Sequence, residues 1–192
     1  MIIEMVRLIM LIGLPGSGKS KLAKQLLLGG DPLQLKLIST DAIRAQLFGD
    51  ESIQGSWVLI WNQVKRQFQQ AVEQISLKNA THAIYDATNA GRKQRREVIT
   101  LARECGFTQI TGLWVDTPIQ VCLERNQRRS RQVPEDVIWH MYRQLYDVPP
   151  ALSEGMDRLI RFNTNVYPAI IIDTGFRKYG NCDRTYEQEP HL

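Results

Sequence analysis

The chain has 192 residues, of which 43% are hydrophobic and 23% charged, with a formal net charge of +4. These values are ordinary for one soluble globular domain with a sizeable core, and they set aside the classes marked by extreme composition. The mild positive charge permits a polyanionic partner without demanding one.

Met5 to Ile12 is a nearly unbroken apolar run. It reads as a strand buried on both faces, as in a parallel sheet. Glu4 and Arg7 lie in or beside it, and it is too short to span a bilayer. Gly13-Leu14-Pro15-Gly16-Ser17-Gly18-Lys19-Ser20 follows and fits the phosphate-loop pattern G-x-x-x-x-G-K-[ST]. Gly16 and Gly18 allow backbone angles that side chains forbid, so successive N–H groups can face one anion. Lys19 is a compact cation for the β- and γ-phosphates, and the Ser20 hydroxyl is a hard oxygen ligand for Mg²⁺. Gly13, Pro15, Gly16, Ser17, Gly18, Lys19 and Ser20 are therefore the expected contacts to ATP. A helix beginning near Lys19 adds its positive end and stops at Gly29-Gly30.

Leu35 to Ser39 reads as the second strand, followed by a short helix, Ala42 to Leu47, capped by Thr40 or Asp41. Trp57, Trp61, Val64, Phe68, Ala71, Val72 and Ile75 mark one apolar side of a long helix, from about Ser56 to Leu77. That stripe is expected to be core rather than a base-stacking platform. His82 to Asp86 is the third strand, and a helix follows Gly91 and ends at Gly106. Its start, Arg92-Lys93-Gln94-Arg95-Arg96, reads as a solvated basic face that can also meet a backbone phosphate. Phe107 to Val115 is the fourth strand, and Thr117-Pro118 opens a helix. Pro134 opens another, with an apolar side of Val137, Ile138, Met141, Tyr142 and Leu145, ended by Pro149-Pro150. His140 is expected to pack within it. Arg158 to Phe162 and Ala169 to Ile172 are the last strand candidates. Cys105, Cys122 and Cys182 are odd in number and far apart, with no C-x-x-C pair. Free thiols in a reducing, cytoplasmic setting follow, with no membrane partner.

Open α/β sheets hold ligands at the carboxyl ends of their strands, so the acceptor is sought there. Asp41 and Arg44, three apart at a helix start, share a face. Asp41 reads as a base for an attacking hydroxyl or as a plain helix cap. Arg44 reads as a two-pronged clamp on an acceptor phosphate or as a solvated charge. After the third strand come Asp86-Ala87-Thr88-Asn89. Asp86 can hold Mg²⁺ through water or steady an arginine, and Asn89 can bond an acceptor or cap a turn. Four arginines fall within the seven residues from Arg125 to Arg131. A helix would stack Arg125 and Arg129 on one face, as suits a mobile lid over the triphosphate.

This ordered set, with Gln132-Val133-Pro134-Glu135-Asp136-Val137-Ile138 after it, resembles the kinase module of polynucleotide kinases, especially bacterial polynucleotide kinase–phosphatase. The resemblance covers about Leu8 to Leu145, and the same superfamily includes zeta-toxin-like and small-molecule kinases. It implies a nucleoside-kinase-like P-loop NTPase fold. That fold is α/β, with three layers, a mainly parallel five-stranded sheet and an arginine-bearing lid. Residues 1–180 would be one kinase domain and 181–192 a loose tail. It further implies transfer of the γ-phosphate of ATP to the 5′-hydroxyl end of RNA or DNA. Asp41 would be the general base and Arg44 the clamp on the phosphate next to the acceptor nucleoside. Lys19 and Ser20 would act on the ATP phosphates and Mg²⁺, Arg125 and Arg129 in the lid. Asp86 would support the metal and arginine network, and Asp173-Thr174-Gly175 would lie near adenine. Familiar members carry a fused phosphatase or ligase module that these residues lack. A small hydroxylated metabolite or antibiotic is therefore an alternative acceptor, and an ATP-hydrolysing switch is a second alternative.

Overall fold

The computed structural model describes residues 5–28 and 35–163. The expected stop at Gly29-Gly30, the strand Ala169–Ile172, the adenine loop at 173–175, Cys182 and the tail lie outside the described residues. Five strands form one sheet: β1 (Arg7–Ile12), β2 (Leu35–Ser39), β3 (His82–Asp86), β4 (Gln109–Asp116) and β5 (Arg158–Asn163). Their order is β2-β3-β1-β4-β5, and every neighbouring pair is parallel. The connecting helices are α1 (Lys19–Leu28), α2 (Thr40–Phe48), α3 (Trp57–Ser76), α4 (Arg92–Cys105), α5 (Ile119–Gln127) and α6 (Glu135–Asp147). A short 3-10 turn, Leu152–Glu154, precedes β5.

The apolar runs are explained by burial on both faces. Leu8, Met10 and Ile12 of β1 join the large core with α3, α4 and Leu145 of α6. Ile9 and Leu11 point the other way and pack with Leu22 and Ala23 of α1. β4 divides in the same manner, with Ile110 and Trp114 on one face and Leu113 and Val115 on the other. Each such side chain contributes about 1.5–3 kcal/mol by leaving water. Helices therefore cover both faces, which gives the three layers expected. With every strand parallel, all carboxyl ends share one edge. The order reverses at β1, so its carboxyl end opens the crevice that holds ligands in this architecture.

Several local readings change. The N-cap of α2 is Ser39, whose side chain accepts from the Ala42 N–H at 3.4 Å, rather than Thr40 or Asp41. Both lie inside the helix, which leaves the Asp41 carboxylate unspent on capping. On α3 the buried line runs through Ile60, Val64, Phe68, Ala71 and Ile75. Phe68 meets Tyr85 and Phe107 edge-on, with centroids 5.5 and 5.4 Å apart. Trp57 is 42% exposed and Trp61 is only partly buried, so the aromatic stripe is core at its middle and surface at its start. His140 is exposed, not packed, because Ile138 and Leu145 define the buried side of α6. Cys105 and Cys122 are free thiols. Among the described residues no helix is long and apolar enough to cross a membrane.

Candidate active site

The loop from Gly13 to Gly18 turns out of β1 into α1. Gly16 has φ +80° and Gly18 φ +102°, backbone that glycine alone enters without strain. At Gly16 a side chain would also strike the carbonyl of Cys122 on α5. The loop is tied from both sides. The Gly13 N–H donates to Thr88 O at 2.9 Å, and the Thr117 hydroxyl donates to Ser17 O at 2.8 Å. The segments after β3 and β4 thus hold the loop at the switch point.

Lys19 is buried, and its ammonium donates to Leu14 O at 2.7 Å and to Ser17 Oγ at 3.5 Å. Burial pushes its pKa down to about 8. Asp86, Cys122 and Asp41 favour its charge, whereas Arg129 opposes it. One cation thus feels the phosphate loop, the tip of β3, the start of α2 and the arginine segment together. Ser20 is exposed at the first turn of α1, while Pro15 and Ser17 are buried in the loop. Asp86 is 8% exposed at the end of β3. A serine hydroxyl and a carboxylate are both hard oxygen donors, the kind of ligand Mg²⁺ takes alongside phosphates and water.

At the start of α2, Arg44 Nη1 meets Asp41 Oδ1 at 2.8 Å. Arg131 also reaches Asp41, at 3.6 Å, and Glu51, at 3.4 Å. Arg131, the last of the four clustered arginines, thus lies against α2 rather than beside Arg125. From the other side, Arg125 Nη1 donates to Gly16 O at 3.3 Å. The arginine segment therefore touches both the phosphate loop and Asp41. It does so by a different route from the one expected. Helix α5 ends at Gln127, so Arg125 and Arg129 are not stacked on one helical face. The stop is made by buried Asn126, whose amide donates to Val133 O at 2.8 Å and accepts from Val133 N–H at 3.0 Å. Arg128, Arg129 and Ser130 are exposed on the loop so formed.

Asn89, expected to meet the acceptor, is wholly buried in the left-handed region at φ +49°. Its amide donates to Leu11 O at 2.6 Å, joining the ends of β3 and β1. It has no exposed surface to offer a ligand.

Two further groups escaped sequence reading. Asp116, at the tip of β4, accepts from the Tyr146 hydroxyl and from Arg161 at 2.8 and 2.7 Å. Burial, then the neighbouring carboxylate, push the Tyr146 phenol above its usual range. Arg161 also lies 4.5 Å over the Trp114 ring. An acid ending an apolar strand was the available signal, the same one that marked Asp86. Arg95 is the second. It belongs to the basic run at the start of α4 but is fully buried. It meets Glu154 through two 2.7 Å contacts and donates to Ala90 O at 2.6 Å and Val148 O at 3.0 Å. No local pattern separates Arg95 from its neighbours; its partner lies 59 residues away.

The parallel sheet, the glycine loop and the buried Lys19 define a P-loop domain of the kinase type. The chain belongs to the AAA domain family AAA_33, whose model matches residues 8–148. It is 29% identical over 145 residues to L-seryl-tRNA(Sec) kinase of Methanococcus maripaludis. That match covers 74% of this chain and 53% of the relative, so the chain spans about half the relative's length. A chain of the Pnkp1/Rnl/Hen1 RNA repair complex has the same fold, with TM-score 0.59, 23% identity and coverage of 74% here and 45% there. Kti12 of Chaetomium thermophilum, in complex with ADP-AlF3, gives TM-score 0.57, 18% identity and coverage of 82% and 89%. These two are likenesses of fold. The expected P-loop kinase resemblance and α/β fold are borne out.

Proposed function

We propose that this chain is an ATP- and Mg²⁺-dependent kinase whose acceptor hydroxyl is carried by a nucleic acid, with the 5′-OH end of RNA or DNA as substrate. The observation that carries the reading is Asp41, which lies beside Arg44 and Arg131 and whose field reaches Lys19. A base, acceptor-side cations and a phosphate loop in one crevice suit transfer to a hydroxyl better than a hydrolytic switch, which needs no acceptor clamp.

In this mechanism Asp41 takes the proton from the attacking hydroxyl. A new O–P bond forms to the γ-phosphorus, the bond to the bridging oxygen breaks, and ADP leaves. Ser20 and Asp86 would hold Mg²⁺, which would neutralise charge at the phosphates. Lys19, Arg125 and Arg129 spread the charge of the transferring group, and Arg44 fixes the acceptor. Asp86 also sustains the charge of Lys19.

A second reading rests on the seryl-tRNA kinase relative. There the attacking hydroxyl would belong to a seryl group esterified to tRNA, and it would form the new O–P bond to the γ-phosphorus in the same way. Both readings put a nucleic acid at the acceptor side; a small hydroxylated metabolite or antibiotic and an ATP-hydrolysing switch are the other outcomes. The test is labelled phosphate transfer from ATP to 5′-OH oligonucleotides of RNA and DNA, to seryl-tRNA and to a panel of small alcohols. Label on the oligonucleotide end is expected. Label only on seryl-tRNA selects the second reading, and label only on small alcohols removes both.

A further inference from the structure

The basic run at the start of α4 is split by the fold. Arg95 turns inward to Glu154, while Arg92, Lys93 and Arg96 remain exposed. The three exposed cations line a groove of about 780 Å³ whose opposite wall includes Trp61 of α3. Trp61 carries Trp57 stacked on it, with centroids 5.8 Å apart and planes at 29°.

The topology places this groove on the edge that holds the candidate active site. Helix α4 begins six residues after Asp86, the last residue of β3. Helix α3 leads into β3 and so runs back from the carboxyl edge to the amino edge. Its 20 residues span about 30 Å, against about 17 Å for the five of β3. Phe68, eleven residues after Trp57, meets Tyr85 next to the end of β3, so the first turns of α3, with Trp57 and Trp61, reach past the carboxyl edge. The cations of α4 stand at the same end. Glu97, which pairs with Lys93 at 3.9 Å, and Glu104 follow along α4. The groove is thus basic toward the active site and acidic away from it.

We infer that this groove is a track for single-stranded nucleic acid leading to the acceptor hydroxyl. Arg92, Lys93 and Arg96 take its phosphodiesters, and the Trp57–Trp61 pair offers a stacking surface for a base. The inference rests on the proposed nucleic-acid acceptor. Arg92 to Arg96 spans about 6 Å along the helix, so the track takes one or two phosphates beyond the end nucleotide. A basic wall facing exposed tryptophan fits a polyanion with π-faces. It does not fit a neutral metabolite.

The test uses the full chain and a 5′-OH single-stranded RNA of about twelve nucleotides, compared with a dinucleotide. The triple variant Arg92→Glu/Lys93→Glu/Arg96→Glu is expected to raise the KM for the longer RNA at least about tenfold while changing kcat less than about twofold. The preference for the longer RNA over the dinucleotide disappears, and the salt slope of binding falls by about 1. The single variant Lys93→Glu guards against misfolding, since that side chain is 92% exposed. It is expected to give a smaller shift of the same sign. If wild type phosphorylates the RNA and neither variant shifts its KM, the track is overturned and the acceptor reading stands. If wild type phosphorylates no oligonucleotide, both fall.

Discussion

Lys19 carries its charge where burial disfavours it, so its proton is the most sensitive reporter of the site. In the free protein its pKa is lowered from 10.5 to about 8. A bound triphosphate restores the charge, so ATP binding takes up a proton between about pH 8 and 10, and affinity falls as pH rises through that window. The sign for stability is opposite. The unfolded chain keeps this proton until about 10.5, so between the two values unfolding gains protons and stability rises with pH from this group. Calorimetric titration of ATP at pH 9 in two buffers of different ionisation enthalpy measures the uptake; a value near zero contradicts it. Asp41 makes a separate prediction. Asp41→Asn keeps size and polarity but cannot take the hydroxyl proton, so kcat for transfer falls about 10²–10⁴-fold while ATP still binds. Equal kcat in variant and wild type would remove Asp41 as the base.

At the level of elements, the phosphate loop is a joint between β1, α1 and α5 rather than a free turn. Gly16→Ala puts a methyl against the Cys122 carbonyl and forces a left-handed backbone, which alone costs about 1–2 kcal/mol. Helix α5 must give way, and Arg125 with it, so ATP affinity should drop at least about tenfold with a measurable fall in Tm. Wild-type affinity in this variant would mean that α5 is not braced on the loop. Elements of this kind were readable where one chemical cause acts locally. The strands buried on both faces announce themselves as apolar runs, and β2 and β3 match their expected bounds residue for residue. The Lys19 start of α1 follows from the loop it terminates. Ends set by distant partners were not readable. Helix α5 stops where Asn126 finds the backbone of Val133 across a loop, and α3 turns its first tryptophan outward because Ile60 wins the buried position. Asn89 looks like any acceptor-binding amide until the strand end beside it, Leu11, is known.

At the scale of the whole fold, the most deeply buried ion pair among the described residues is Arg95–Glu154, with side chains 0% and 1% exposed. It fastens the segment after β3 to the turn before β5 and to the end of α6. Removing one partner leaves the other charged and dry. Arg95→Met or Glu154→Gln should each cost about 3–5 kcal/mol, read as a lowered urea midpoint. The double change Arg95→Met/Glu154→Leu should recover a large part, although the carbonyls of Ala90 and Val148 lose a donor. If the double variant is no better than the singles, the cost lies in packing rather than in the orphaned charge. The same pair constrains birth as well as equilibrium. During synthesis Arg95 leaves the ribosome 59 residues before Glu154. Any early closure of the sheet around α4 would bury a guanidinium with no counter-charge yet made. Closing the sheet around α4 is therefore unfavourable until the turn before β5 has emerged, by which time β1 to β4 are already translated.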